Sequence, residues 1–234
     1  MNAGIADAAT LAWMLAATLK GWAPAAILDA YESERQPITE QVSHFAMNIA
    51  LKIIQQRNAV PAEIESPGPD GAAARTRIGK EAYAIDAQQQ CAAGLNFGYF
   101  YDHSPIIADD AEPHPVYTMG DFAASTVPGC RLPHLWLRDG RSLYDALGPD
   151  YTLIRTDPAV RVSGIVEAAM KRGVPLAVLD VDAAQARTLY ARNLVLARPD
   201  QHVAWRGDAE PPDPTGLIDL VRGAGSEPSQ RTAR

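Results

Sequence analysis

The feature that most constrains this chain is an alternation of short apolar runs and helical segments between residues 151 and 222. Short apolar runs bounded by turn residues are typical of buried strands, whereas apolar positions three and four apart are typical of helices. A strand-helix-strand crossover followed by a hairpin and a closing helix predicts an α/β fold with a mixed sheet. In chain order, we expect strands at 151–155 and 176–181 around a helix at 163–172, a helix at 183–191, paired strands at 194–198 and 202–206, and a helix at 214–222.

The N-terminal third of the chain is expected to be helical. Over the first two dozen residues, apolar side chains recur three and four apart, which predicts one buried helical face. A second helical segment runs from Pro24 to about Gln56, and Pro37 either starts a new helix within it or kinks a single long one. A third runs from Ala72 to about Gln90. The residues assigned to the buried face of the first helix are Ile5, Ala8, Leu11, Ala12, Leu15 and Leu19.

Two further strands are predicted between these regions. Apolar and aromatic residues alternate over 95–101, and a short apolar run at 132–137 precedes a helix that Ser142 caps. The stretch from 109 to 127 contains helix and strand breakers, so we place a domain boundary there. The expected organisation is a helical domain at 1–108, a linker at 109–127, an α/β domain at 128–224 and a disordered tail at 225–234.

Charge and composition argue against several classes of partner. The net charge of −7 disfavours nucleic acid, whose phosphates would be repelled. Neither a membrane-spanning apolar run nor a signal peptide is recognisable, so we expect a cytoplasmic protein without membrane contact. Cys91 and Cys130 stand far apart without a Cys-x-x-Cys pair, which suggests separate reduced thiols, although the sequence leaves a disulfide between them open.

Clusters of polar residues offer candidate sites, but each has a simpler structural explanation. The cluster at 31–35 contains Glu34 and Arg35, and we interpret it as an arginine held by carboxylates that fixes a helix pair. Asp102, His103 and Ser104 are adjacent on what we expect to be extended chain, where they point to opposite sides and form no nucleophile relay. His134 and His202 have no third ligand nearby in sequence, so we expect solvated or hydrogen-bonded histidines and no metal site.

Three stretches of the sequence resemble one enzyme family. They are Met-Asn-x-Gly-Ile-x-Asp-Ala-x-x-Leu-Ala-Trp at 1–13, Tyr-Glu-Ser-Glu-Arg-Gln-Pro at 31–37, and Leu-x-x-Gly-Tyr-x-Tyr-x-x-Ser-Pro at 95–105. Together they resemble the end of the flavin domain in the single-component FAD-dependent aromatic hydroxylases, the family of p-hydroxybenzoate and phenol hydroxylase. The resemblance implies FAD as cofactor, NAD(P)H as reductant, an aromatic small molecule as substrate, and backbone N–H groups of Met1 and Asn2 at the flavin N1 and O2 edge. No catalytic side chain is assigned.

Two more stretches extend the resemblance over essentially the whole chain. Pro-Gly-Cys-Arg-Leu-Pro-His at 128–134 and Arg-Pro-Asp-Gln-His-Val-Ala-Trp-Arg at 198–206 resemble the C-terminal thioredoxin-like domain of phenol-hydroxylase-type enzymes. Redox activity does not follow, because a dithiol site needs two cysteines one helical turn apart. In the family this domain often contributes to dimer contacts, so a homodimer is a possible partner.

The chain also departs from the family pattern. A Gly-x-Gly-x-x-Gly turn, which would hold the adenosine pyrophosphate, does not occur in these 234 residues. We therefore expect the C-terminal portion of an FAD- and NAD(P)H-dependent aromatic monooxygenase, a helical remnant of the flavin domain followed by the thioredoxin-like domain, inactive without an N-terminal flavin-binding half. The alternative is a non-catalytic assembly module that complements a separate flavin-binding chain.

Overall fold

The computed structural model describes residues 2–181 and 184–225, without the side chains of Asn2, Ala184 and Gln185. The predicted disordered tail therefore lies almost entirely outside the described residues. The helices are α1 (Asn2–Leu19), α2 (Ile27–Asn58), α3 (Pro69–Gln90), α4 (Leu143–Ala146), α5 (Ser163–Arg172), α6 (Ala184–Tyr190) and α7 (Pro214–Val221), with a 3₁₀ turn at Ala62–Glu65 and a π-helical turn at Gly94–Gly98. The strands are β1 (Tyr151–Arg155), β2 (Leu176–Asp180), β3 (Leu194–Ala197) and β4 (Val203–Gly207).

The chain divides into two compact units. The first comprises Met1–Gln36, Tyr99–Val116 and Ala123–Arg234, and the second comprises Pro37–Gly98 and Tyr117–Phe122. The first unit therefore combines α1 and the start of α2 with the whole C-terminal sheet. That residues 109–127 link two independently folding domains stays a prediction. Helix α2 is continuous through Pro37, so one long helix forms instead of two.

The four strands of the first unit form one mixed sheet in the order β2-β1-β3-β4. The pair β1 and β2 is parallel, with Tyr151 opposite Leu176, and the remaining pairs are antiparallel. This parallel crossover followed by an antiparallel hairpin is the expected thioredoxin-like arrangement, and the fold is α/β as predicted. All four strands of the sheet lie within two residues of their predicted positions.

Both faces of the sheet are covered within the first unit. Leu153 on β1 packs in a cluster with residues of α5 and α7 and with Trp13 and Met14 of α1. Ile154, on the opposite face of the same strand, packs with Leu132, Tyr190 and other residues of the second cluster. Strand β1 is therefore buried on both sides from Tyr151 to Ile154. Helix α1 is an integral part of the core of the α/β unit.

The predicted buried face of α1 is wrong. Ile5, Leu15 and Leu19 are 68%, 41% and 85% exposed, whereas Trp13 and Met14 are buried. Helix α1 is apolar around much of its circumference, and the face that packs against the sheet is the one that carries its large aromatic residue. Periodicity alone could not choose between two apolar faces. The exposed residues Ile5, Ala8, Ala12, Leu15 and Leu19 form a continuous line, which we call the α1 stripe.

The predicted strand at 95–101 is also wrong, because its first half forms the π-helical turn at 94–98. Leu95 N donates to Met119 O at 3.0 Å, which ties the turn to a loop of the second unit. A Cβ at Gly94 would lie 1.8 Å from Thr118 O, so only glycine permits this close approach. The packing of this loop thus overrides the strand-like alternation of the sequence.

The predicted strand at 132–137 does not form either. Within this stretch the structure has one isolated bridge, between Trp136 and Ser142, and a second joins the preceding Arg131 to His202. Pro133 has no N–H group and cannot complete a ladder, while Leu132 and Leu135 are buried in the second cluster. The run is apolar because it packs on the sheet as an extended cover. The predicted helix after Ser142 does form, and the Ser142 side chain accepts a hydrogen bond from Tyr144 N.

The second unit is helical in its main elements. It contains α2 beyond Pro37 and all of α3, and its buried residues include Ile49 and Ile78. Lys52 Nζ donates to Gln88 Oε1 at 3.2 Å between these two helices. Among the described helices of the whole chain, none combines the length and apolar character needed to cross a bilayer.

Candidate functional site

The sequence assigned the flavin edge to Met1 and Asn2 at the start of α1. Met1 lies outside the described residues, and Asn2 is described only as the first residue of the helix. The first turn contains no acidic side chain, and a Cβ at Gly4 would meet no atom within 4 Å. A helix N-terminus whose first turn has no acidic side chain, with open space at Gly4, suits a negatively charged flavin edge. The residues present therefore fit that edge, and the assignment to Met1 and Asn2 stays a prediction.

Below this helix the first unit contains a buried ionic cluster centred on Arg198. The Arg198 side chain is fully buried, and Nη1 and Nη2 donate to the two Glu34 oxygens at 2.6 and 2.8 Å. The same guanidinium donates to Asp200, with Nη2 to Oδ2 at 2.6 Å and Nε to Oδ1 at 3.1 Å. The Arg198 Cζ lies 5.1 Å from the ring centroids of both Trp13 and Tyr101. Every nitrogen of Arg198 is thus engaged, which a buried guanidinium requires.

Asp200 connects this arginine to α1. Its Oδ2 accepts a hydrogen bond from Trp13 Nε1 at 3.3 Å, and its side chain is almost completely buried. Burial alone would raise the pKa of Asp200, but the charge of Arg198 and hydrogen bonds from His202 and Arg198 hold that pKa well below its usual value. Asp200 is therefore a buried, ionised acceptor between the hairpin and the first helix.

A second buried pair lies beside the first. Arg35 Nε donates to Asp7 Oδ1 at 2.9 Å, which links α2 to α1. The same guanidinium lies 5.3 Å from the Tyr99 ring centroid, and its Nη1 is 3.5 Å from Tyr101 Oη. Burial opposes the charged form of Arg35, but the tyrosines and Asp7 outweigh it, and the pKa lies above its ordinary value. As predicted, a carboxylate holds Arg35 and ties two helices together, but it is Asp7 of α1, outside the cluster at 31–35, whose Glu34 pairs with Arg198.

His202 is hydrogen-bonded, as expected, but it is not solvated. It is 2% exposed, and its Nδ1 lies 3.1 Å from the Asp200 backbone O. Its ring packs 4.2 Å from that of Tyr101, and its Nε2 has no hydrogen-bond partner among the described atoms. His134 is exposed, with Nε2 2.8 Å from Ser142 Oγ. No group of three metal-binding side chains occurs within residues 2–181 and 184–225.

Asp102, His103 and Ser104 form no relay, although the reason differs from the one expected. His103 has a φ of 56°, so the chain is not extended there, and its Nε2 lies 3.4 Å from Asp102 Oδ2. Ser104 Oγ instead donates to Glu34 Oε1 at 2.5 Å. The serine hydroxyl thus belongs to the buried ionic cluster.

The cysteines give no redox site. Cys91 is exposed, Cys130 is buried, and both are free thiols. Burial raises the pKa of the Cys130 thiol to about 11, which suppresses the reactive thiolate. The expectation of separate reduced thiols is confirmed, and the thioredoxin-like sheet here has no dithiol chemistry.

Four of the five stretches that carry the family resemblance meet in the buried ionic cluster. The stretch at 1–13 contributes Asp7 and Trp13, and those at 31–37, 95–105 and 198–206 contribute the remaining groups. Sequence reasoning recognised each stretch but not their convergence. The available signal was the placement of Arg198 and Asp200 directly after an apolar strand, where charged residues need buried partners. The cluster's members are Asp7, Trp13, Glu34, Arg35, Tyr99, Tyr101, Ser104, Arg198, Asp200 and His202.

A cleft of about 340 Å³ lies between α1 and residues 149, 150 and 199. Small residues of α1 line it together with Trp13 and Trp22, and Lys20 and Asp150 supply opposite charges. Trp22 Nε1 is buried and has no hydrogen-bond partner among the described atoms. The cleft adjoins the α1 stripe at Ala12, and the stripe itself is uncovered in the described chain.

Two protein-family models and several known proteins match this chain. Residues 1–46 match the model of an FAD binding domain, and residues 125–227 match that of the aromatic-ring hydroxylase C-terminal domain. The chain is 33% identical to the FAD-dependent monooxygenase opdD of Penicillium oxalicum, over 89% of this chain and 41% of that protein. It is 30% identical to the phenol 2-monooxygenase of a Pseudomonas species, over 95% of this chain and 42% of that protein.

Solved structures give the same result. RebC-10x, in a structure described as native and K252c-bound, superposes with a TM-score of 0.87 at 36% identity, over 96% of this chain and 42% of that one. The flavin-dependent monooxygenase PieE, solved with FAD and substrate, has a TM-score of 0.74 at 27% identity, over 95% of this chain and 43% of that one. The chain thus spans about two fifths of the length of these relatives. By sequence and by fold, the chain resembles the C-terminal part of the FAD-dependent aromatic-ring hydroxylases.

Proposed function

We propose that the chain forms the C-terminal part of an FAD- and NAD(P)H-dependent monooxygenase that hydroxylates an aromatic compound. The observation that carries this proposal is the construction of α1, which lies in the FAD-domain match and packs in the core of the α/β unit. Bound FAD, reduced by NAD(P)H, supplies the oxygen chemistry in such an enzyme. The role proposed for this chain is to present the backbone N–H groups of Met1 and Asn2 to the flavin edge. We further propose a cytoplasmic enzyme, while a homodimer stays a prediction.

The α1 stripe and its neighbouring cleft support a missing flavin-binding part. Three large apolar residues of α1 are more than 40% exposed, and contiguous exposed apolar surface commonly marks an interface. We propose that the N-terminal flavin-binding half of the enzyme covers this side of α1, whether it precedes these residues or is a separate chain. The 234-residue polypeptide alone is then expected to lack hydroxylase activity, since none of its residues forms the Gly-x-Gly-x-x-Gly turn.

The test compares the isolated polypeptide with a chimera. In the chimera, this chain replaces the matching 42% of the Pseudomonas phenol 2-monooxygenase, so that the relative supplies the flavin-binding half. We expect the chimera to bind FAD and to oxidise NAD(P)H faster when phenols are added. The isolated polypeptide should do neither in an FAD titration and an NAD(P)H assay. A matched chimera carrying Leu15→Lys on the α1 stripe should lose FAD.

Two results would overturn the proposal. One is phenol-dependent NAD(P)H oxidation by the isolated 234-residue chain, which would mean that it holds a complete flavin site. The other is a chimera that folds, as judged by circular dichroism and cooperative unfolding, yet fails to bind FAD.

A further inference from the structure

We propose that Arg198 and Asp200 are positioning residues, which hold α1 in the place where its first turn can meet the flavin. This inference rests on the proposed function and deepens it. It gives the redox-inactive sheet a specific task, which is to fix the cofactor-facing helix through the β3–β4 hairpin. The group that acts on α1 directly is Trp13, whose indole N–H donates to Asp200.

Helix α1 is held differently in its two halves. Its fully buried apolar residues, Met14 and Ala17, lie in its second half, and Trp13 is next to them. The first half has its outer side exposed along the α1 stripe. Two polar contacts fix the direction of the helix, Asp7 to Arg35 and Trp13 to Asp200. Apolar packing alone therefore constrains the first half of α1 only weakly.

The contacts of Asp7 with Arg35 and of Trp13 with Asp200 both end in the buried ionic cluster. Arg35 lies near Tyr101, and the Tyr101 ring packs against the Arg198 guanidinium. Arg198 in turn joins Asp200 to Glu34 of α2. The hairpin residues thus set the position of both helices at once, since a shift of Arg198 displaces partners on each.

The contact between the β3–β4 hairpin and the two helices is made by charged groups. The cluster buries four charges, the carboxylates of Glu34 and Asp200 and the guanidiniums of Arg35 and Arg198, and it partly buries the carboxylate of Asp7. Burying charge carries a desolvation penalty, and apolar residues of similar volume often give equal or greater stability. Charge-assisted hydrogen bonds in fork geometry add direction, which apolar contacts lack. The charged contacts are therefore suited to fixing the position of α1 relative to the β3–β4 hairpin.

Because Trp13 lies far from the first turn of α1, the position of Trp13 strongly affects where that turn lies. Trp13 lies 11 residues from the first residue of α1, which corresponds to about 16 Å along a helix. A small rotation at Trp13 therefore produces a larger displacement at the first turn. Near-correct placement is not sufficient for cofactor contacts, because misplacement by about 1 Å weakens a positioned group substantially.

Hydrogen exchange of the purified 234-residue chain, read by mass spectrometry, tests this inference without flavin. In Asp200→Asn, we expect peptides from α1 to exchange at least about tenfold faster, whereas peptides from β1 and β3 accelerate by a smaller factor that follows the loss of global stability. The matched control is Asp180→Asn, which removes another aspartate paired with an arginine, Arg155, at a half-exposed site. That control should leave α1 unchanged.

A second variant isolates the contact with the indole. Trp13→Phe keeps a buried aromatic ring but removes the N–H donor, so it should also accelerate exchange in α1. If Asp200 acts through Trp13, the double variant should exchange no faster in α1 than Asp200→Asn alone. Equal acceleration in all peptides, or unchanged α1 rates in both single variants, would overturn the inference, because either result indicates a cluster that only stabilises the fold.

The chimera provides a readout at the cofactor. With FAD bound, Asp200→Asn should shift the visible absorbance of the oxidised flavin, whereas Asp180→Asn should not. A flavin spectrum unchanged by Asp200→Asn would overturn the inference even if the proposed function holds. Conversely, accelerated exchange in α1 together with a folded chimera that binds no FAD would overturn the proposed function alone.

Discussion

At the scale of single residues, Cys130 is the group whose chemistry the fold changes in a directly testable way. Its pKa of about 11 leaves about one thiol in a thousand ionised at pH 8. We expect iodoacetamide at that pH to modify the exposed Cys91 in the native chain and to spare Cys130, as read by peptide mass spectrometry. Both cysteines should react alike in urea. Comparable native labelling of the two would contradict the described burial of Cys130.

The buried ionic cluster shows what residue types can and cannot predict. The sequence predicted that a carboxylate holds Arg35, because a charged cluster on a helix next to apolar residues needs partners. It did not identify Glu34 as the partner of Arg198, 164 positions away. Pairing at that distance depends on how the hairpin meets the helices, and local patterns contain no information about that meeting.

At the scale of elements, α1 offers a direct comparison of its two apolar faces. Met14 is fully buried, whereas Leu19 is 85% exposed. We expect Met14→Ala to lower the free energy of unfolding by about 2–5 kcal/mol, and Leu19→Ala to lower it by less than about 0.5 kcal/mol. Urea unfolding of the two variants measures both changes. The reverse order would mean that the helix is rotated and that periodicity had chosen the correct face.

How well each remaining element could be predicted depends on whether neighbouring or distant residues determine its structure. The four strands of the sheet were predictable, because each contains a short apolar run between turns. Strands β1, β3 and β4 are largely buried, whereas β2 is partly exposed at the sheet edge. The run at 132–137 looked the same, yet Pro133 prevents ladder formation, and the run covers the sheet instead of joining it. The alternation at 95–101 was overridden by the contact of Gly94 with Thr118. Such contacts between distant segments were not visible in sequence.

At the scale of the whole molecule, the lowered aspartate pKa values predict acid sensitivity. Burial opposes ionisation of Asp200 and Asp219, but arginine partners outweigh it, and a hydrogen bond from Arg155 lowers the pKa of Asp180. A folded-state pKa below the unfolded value of about 3.9 stabilises the fold at higher pH. That stabilisation is lost as pH falls through the folded-state pKa values.

We therefore expect the urea midpoint to stay nearly constant between about pH 7 and pH 5 and to fall steadily below about pH 4. Asp200→Asn should be less stable at pH 7 and should show a shallower decline in acid, because one coupled carboxylate is gone. Urea titrations of both proteins between pH 7 and pH 3 provide the measurement. A midpoint that rises in acid would contradict the assignment of ionised, paired aspartates.

The contact between Trp13 and Asp200 joins residues 187 positions apart, and this separation has a consequence for protein synthesis. At about 5–20 residues per second, a ribosome makes Trp13 some 10–40 s before Asp200. During that interval α1 has neither the hairpin nor the sheet to pack against, so the side of the helix that carries Trp13 stays uncovered. Helix α1 is therefore among the last elements of this unit to find its place, and co-translational folding of the unit must wait for its final hairpin.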